Sequence, residues 1–66
     1  MDAEVNEFVA LLGTSPVVHQ ATGMVSVQIG AGLRDAADRL LVTSTEAGRS
    51  VESIAIDVVE GTLRFD

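Results

Sequence analysis

Apolar residues recur at helical spacing in four stretches of the chain, and glycine-containing breaks separate the stretches. The first is an apolar stripe of Val5, Phe8, Val9 and Leu12. These residues repeat at i, i+3, i+4 and i+7, which is the spacing of one helix face. The pattern predicts a short leading helix that stops at Gly13. We assign residues 1–15 to this leading segment, which serves for dimerisation or as a linker.

The other three stretches predict three core helices within residues 16–66. The first of them starts at Ser15-Pro16, because serine accepts hydrogen bonds from free amides and proline suits the first helical position. Gly30-Ala31-Gly32 separates it from the second helix, and Ser50 is the predicted N-cap of the third. Their apolar stripes are Val18, Ala21, Val25 and Ile29; Leu33, Ala36, Ala37, Leu40, Leu41 and Ser44; and Val51, Ile54, Ala55, Val58 and Thr62.

Two segments also carry a strand signal. Residues 24–29 and 53–59 alternate in part and are rich in β-branched side chains, which favour strands. In both segments the helical stripe is longer and begins at a capping signal, so we predict helix. The expected fold is all-α, a three-helix bundle preceded by the short leading helix.

The composition adds a size problem. With 66 residues, 47% of them hydrophobic and none of them cysteine, the chain can form no disulfide or thiolate metal site. A domain of this size buries only about 60% of the surface of its unfolded chain. We therefore expect a homo-oligomer, namely a homodimer. Its interface is expected to be either the stripe of the leading segment or the spare apolar positions Ile56, Val59 and Leu63.

The N-terminus bears on localisation. Acidic residues stand at Asp2, Glu4 and Glu7, where a secretory signal would be basic. Residues 8–33 contain no charged side chain and are long enough to span a membrane, but Gly13-Thr14-Ser15-Pro16 interrupts them. We expect a cytoplasmic protein with no membrane segment.

Candidate catalytic chemistry is sparse. His19 is the only histidine and has no acidic residue near it in sequence. Asp35 and Asp38 lie one helical turn apart, but arginines four residues away match each of them. Gly30-Ala31-Gly32 superficially resembles a dinucleotide-binding turn, yet Asp35 stands where the third glycine belongs. We expect no enzyme activity, no cofactor and no metal.

Five short motifs follow one another along the predicted bundle. They are VHQATGMV at residues 18–25, Gly30, LRDAADRLL at 33–41, GRSV at 48–51 and IAIDVV at 54–59. Together they resemble the ANTAR domain over residues 16–65. The HQATGMV form is similar to ANTAR segments that follow GAF sensor domains in bacteria.

The resemblance implies a three-helix domain that binds paired RNA hairpins in nascent transcripts and prevents a terminator from forming. Such domains usually act as dimers and are switched by an attached or upstream sensor. The implied RNA-binding residues are His19, Ala21, Thr22, Gly23, Arg39 and Arg49. Small side chains let a partner approach closely, and RNA loops are recognised by arginine and polar donors. The alternative for Ala21 and Gly23 is tight helix packing.

Net charge opposes this function at first sight. The chain carries a formal charge of −6 and no lysine, which alone argues against a nucleic-acid partner. Residues 1–13 hold three acids and no base, residues 14–49 three of each, and residues 50–66 four acids and one base. The RNA-facing part is therefore neutral. Many family members are basic at the positions of Thr22 and Val42, and each lost cation removes a phosphate contact. The alternative function is an acidic helical protein-interaction or dimerisation module with little RNA affinity.

Overall fold

The computed structural model describes residues 15–66. The predicted leading helix, with its apolar stripe and Gly13, lies outside the described residues. Within them the chain forms three α-helices and no strand: α1 (Pro16–Ile29), α2 (Leu33–Ala47) and α3 (Val51–Glu60). The all-helical prediction is confirmed for this part of the chain. The strand alternative is wrong, because residues 24–29 and 53–59 both lie inside helices.

Two helices begin at the predicted serines. The Ser15 hydroxyl accepts a hydrogen bond from the Val18 amide, and Pro16 occupies the first helical position. The Ser50 hydroxyl accepts from the Ser53 amide. Each serine thus satisfies an amide that has no partner within its helix. Helix α2 begins after Gly32 without a side-chain cap.

All three helices end at a glycine with left-handed backbone geometry. The φ angles are 65° at Gly30, 66° at Gly48 and 84° at Gly61. In each case the amide of the residue after the glycine bonds to the carbonyl five positions back, as the Arg49 amide does to Ser44 at 3.0 Å. This pattern ends a helix sharply, and glycine adopts it without strain. The stripe predicted to reach Thr62 is therefore cut short at Glu60.

Two hydrogen bonds show that helices α1 and α3 lie side by side and run in the same direction. The Ser15 hydroxyl donates to Glu52 Oε2 at 2.9 Å, which joins the starts of α1 and α3. The Phe65 amide donates to Gln28 Oε1 at 3.0 Å, which joins the end of α1 to the segment after α3. We call the end of the bundle that holds Ser15 and Glu52 the cap end.

The core comes from the predicted stripes. Small alanines let the helix axes approach, while the largest fully buried side chains, led by Leu40 and Ile54, fill the centre. Leu63 and Phe65 of the C-terminal tail pack against this core. Leu33 and Leu41 were predicted in the α2 stripe but are 48% and 42% exposed. The buried apolar residues are Val18, Ala21, Val25, Ala36, Ala37, Leu40, Ile54, Ala55 and Val58.

The charge-free stretch between residues 8 and 33 does not form a membrane-spanning helix in its described part. None of the helices within residues 15–66 combines the length and the apolar character that crossing a bilayer requires.

Candidate nucleic-acid interface

The outward face of α1 carries two of the six predicted site residues. His19 is exposed in the first turn, and Gly23 follows one turn later, half-buried. Gln20 is exposed beside them. Helix α1 contains no Asp, Glu, Lys or Arg, so its outward face presents only hydrogen-bonding and apolar groups.

Ala21 and Thr22 do not lie on that face. Both side chains are 0% exposed, and the Thr22 hydroxyl donates to the Val18 carbonyl at 2.7 Å. They share the core side of α1 with Val18 and Val25, which are three or four residues away, the spacing of one helix face. The expectation that Ala21 and Thr22 face RNA is therefore wrong, and tight packing accounts for Ala21.

Gly23 is not explained by packing within the bundle. Apart from Gly23, its two chain neighbours and the adjoining backbone of α1, no atom of the described residues lies within 4 Å of where a Cβ on Gly23 would stand. A glycine inside a helix costs about 1 kcal/mol of stability relative to alanine. Gly23 therefore leaves the outward face of α1 without a side chain at this position. No contact within residues 15–66 offsets the resulting loss of helix stability.

Arg39 lies on α2 beside carboxylates. It lines an open groove of about 370 Å³, together with Asp35 and Asp38. The apolar part of the lining comes from Ile29, Ala31 and Val42. The two carboxylates reduce the positive potential that Arg39 presents to a phosphate.

Arg49 is held against α3 by three sets of contacts. Its Nε donates to Ser53 Oγ at 3.0 Å, and its Nη2 donates to the same hydroxyl and to the Ser53 carbonyl. Its Nη1 pairs with Asp57 Oδ2 at 2.8 Å. The side chains of Arg49 and Asp57 remain 43% and 30% exposed, so a ligand can reach both.

The structure divides the predicted residues between two places. His19 lies in the first turn of α1 and Arg49 immediately before α3, so both are at the cap end. Arg39 borders the same groove as Ile29. Ile29 is ten residues beyond His19, which is about 15 Å along the helix axis. His19, Gly23 and Arg49 are the candidate interface, because His19 and Arg49 lie at the cap end and Gly23 is one turn beyond His19 on α1, whereas Arg39 borders the groove at the other end of α1.

Three further residues lie beside the candidate residues and were not predicted from the sequence as site residues. Gln20 extends the polar surface beside His19, while Ser53 and Asp57 contact the guanidinium of Arg49. The spacing Arg49, Ser53, Asp57 repeats at i+4, and this was the available signal. It was obscured because Arg49 precedes the N-cap and lies outside the helix itself.

The arginine of the C-terminal tail, Arg64, is engaged with a neighbouring carboxylate. Arg64 makes two hydrogen bonds to Asp66, one of 2.7 Å. This hydrogen bonding lowers the pKa of the Asp66 carboxyl and raises the pKa of Arg64. Arg64 and Asp66 thus neutralise each other in the tail.

No group suited to holding a metal ion is found in the described part of the chain, where no three histidine or acidic side chains converge. Comparison with models of protein families, with curated proteins and with solved structures finds no match. The resemblance to ANTAR domains therefore rests on the motifs themselves.

Proposed function

We propose that the chain is an RNA-binding transcription antitermination regulator of the ANTAR type, which binds hairpins in nascent mRNA. The observation that carries the proposal is the distribution of the motif residues in the fold. The motif positions Ala21, Leu40 and Ala55 are fully buried, and Gly30 and Gly48 end helices. Most motif residues thus have a structural role in the core or at helix ends. The motif residues that remain on the surface are available for binding.

The residues left outside suit RNA. His19 and Gln20 provide hydrogen-bond donors and acceptors, Gly23 permits close approach of a sugar–phosphate backbone, and Arg49 provides a guanidinium at the same end of the bundle. RNA loops are bound through phosphates, 2′-hydroxyls and unstacked bases, for which this mixture is suitable. Arg39 is a secondary contact on α2 in this proposal.

Two hairpins call for two binding surfaces, so we propose that the protein acts as a homodimer in the cytoplasm. An upstream sensor domain or a separate sensor protein supplies its input signal.

An RNA titration tests the proposal. The 66-residue chain is added to a fluorescently labelled RNA with two stem-loops, and anisotropy is followed at low and moderate salt. We expect binding that weakens as salt increases, because phosphate contacts release counterions. The matched control is an RNA of the same composition whose stems cannot pair. Absence of salt-sensitive binding at micromolar protein concentrations contradicts the proposal.

A second candidate function, an acidic helical protein-interaction module, is favoured by a different observation. Large apolar side chains remain exposed on all three helices, led by Val27 at 82%. The others are Leu33, Leu41, Val42 and Ile56. Light scattering separates the two functions when it is combined with the RNA titration. Self-association without RNA affinity supports the interaction module, and RNA binding supports the regulator.

A further inference from the structure

Arg49 is the cation that the proposed interface offers to RNA, and it already holds an anion. Ser53 fixes the Nε and Nη2 side of the guanidinium, and Asp57 holds Nη1 at 2.8 Å. The five N–H groups of an arginine form a rigid fork that binds carboxylate and phosphate oxygens with the same geometry. Asp57 Oδ2 therefore stands on Arg49 where an oxygen of a phosphate would bind.

The Arg49–Asp57 ion pair is placed so that another anion can replace the Asp57 carboxylate. Both side chains are partly exposed, and ion pairs in such positions add little to stability because water screens them. The hydrogen bonds to Ser53 do not depend on Asp57, so Arg49 keeps its orientation when the carboxylate is displaced. One N–H of Nη1 is not used by the contacts to Ser53 and Asp57.

We propose that Asp57 is an internal competitor for the phosphate site of Arg49 and so sets the affinity of that site for a phosphodiester. The inference rests on the proposed RNA-binding function and names the ligand group that Arg49 takes. Asp57 acts on the ligand only by occupying Arg49 and makes no contact of its own to the ligand. Ser53 holds the guanidinium ready whichever anion occupies the site.

The first experiment compares Asp57→Asn with Glu60→Gln in the 66-residue chain. Both changes remove one negative charge from α3, but only Asp57 touches Arg49. We expect Asp57→Asn to bind the two-hairpin RNA about two- to five-fold more tightly, the range typical for loss of a partly exposed ion pair. Glu60→Gln is expected to leave the affinity near the wild-type value. Equal gains in the two variants overturn the proposal, because they reflect net charge alone.

A double-mutant cycle tests whether Asp57 acts through Arg49. In an Arg49→Ala background, Asp57→Asn should give no gain in RNA affinity, since the group for which it competes is gone. A gain of the same size as in the wild-type background overturns the proposal. A purely structural role for Asp57 would lower the melting temperature of Asp57→Asn and leave its affinity for RNA unchanged or reduced, which also overturns it.

An experiment without RNA separates this inference from the proposed function. Inorganic tripolyphosphate is titrated into wild-type and Asp57→Asn protein, and the Arg49 Nε–Hε signal is followed by NMR. Saturation at lower tripolyphosphate concentration in Asp57→Asn supports competition at Arg49, even if the RNA titration fails. If Asp57→Asn does not lower the concentration needed, the proposal is overturned, whatever the outcome with RNA.

Discussion

Ser15 and Glu52 join the starts of α1 and α3 through a 2.9 Å hydrogen bond that spans 37 positions of sequence. The same Ser15 hydroxyl accepts a hydrogen bond from the Val18 amide. One small side chain therefore both caps α1 and holds it beside α3. This link holds the start of α1, where His19 lies, beside the start of α3, which Arg49 immediately precedes. The candidate interface therefore depends on a residue that need not touch RNA.

We expect Ser15→Ala to destabilise the protein by about 1–2 kcal/mol, because it removes an N-cap and a hydrogen bond between helices. Glu52→Ala removes only the second of these and should cost less. Urea denaturation followed by circular dichroism measures both free energies of unfolding. A larger loss in Glu52→Ala than in Ser15→Ala would show that capping is not the main contribution of Ser15.

Two glycines should respond to alanine in opposite directions. Gly48 has a φ of 66°, where a Cβ is strained, so Gly48→Ala is expected to lose about 1–2 kcal/mol of stability. Gly23 lies inside α1 with open space around it, and Gly23→Ala should gain about 0.5–1 kcal/mol. Thermal or urea unfolding of the two variants checks the signs. If Gly23→Ala is destabilising, Gly23 serves the fold and not the interface.

The neighbouring leucines of α2 provide a test of the core. Leu40 is 0% exposed and Leu41 is 42% exposed. We expect Leu40→Ala to cost about 2–5 kcal/mol, through lost burial and the cavity left behind, which is a large share of the stability of so short a chain. Leu41→Ala should change the free energy of unfolding by under about 1 kcal/mol, as surface substitutions usually do. Comparable losses at the two positions would contradict the packing of α2.

Much of this fold is predictable from local sequence. Ser15-Pro16, Ser50 and the helix-ending glycines mark the boundaries through capping chemistry, which acts within a few residues. The apolar stripe that runs to Thr62 predicts the end of α3 too late. The periodic pattern continues past Gly61, but the helical backbone ends there. The strand signal in residues 24–29 failed because packing in a helical bundle overrides the weak preference of β-branched residues.

The interface was harder to predict, for a geometric reason. Ala21, Thr22 and Gly23 are consecutive, and each residue turns a helix by about 100°. Three adjacent side chains on a helix packed on one side cannot all face the same partner, so at least one had to be buried. The contact of Arg49 with Asp57 follows their i+4 spacing through Ser53, but Arg49 precedes the N-cap Ser50, so the spacing alone does not show that its side chain reaches back along α3.

The tail pair gives a prediction with a defined pH dependence. The hydrogen bond from Arg64 lowers the pKa of Asp66, so the folded state favours the ionised carboxylate. Its stabilising contribution is present above the ordinary aspartate pKa and is lost as the pH falls through the lowered value. An NMR titration of the Asp66 carboxyl carbon should show this shift, and Arg64→Ala should return the pKa towards its usual range. An unchanged titration in Arg64→Ala would exclude the pair in solution.

RNA binding should depend on which arginine is removed and not only on the total charge. Arg49→Ala and Arg64→Ala lower the net charge equally, and each arginine is paired with a carboxylate. They differ in place, because Arg49 lies at the cap end with His19 while Arg64 lies in the C-terminal tail. We expect Arg49→Ala to weaken binding across RNA sequences and to make the slope of log K against log salt shallower by about one unit. Arg64→Ala should change the slope little. Equal effects of the two substitutions would mean that RNA responds only to the overall charge, and the assignment of the interface to the cap end would be wrong.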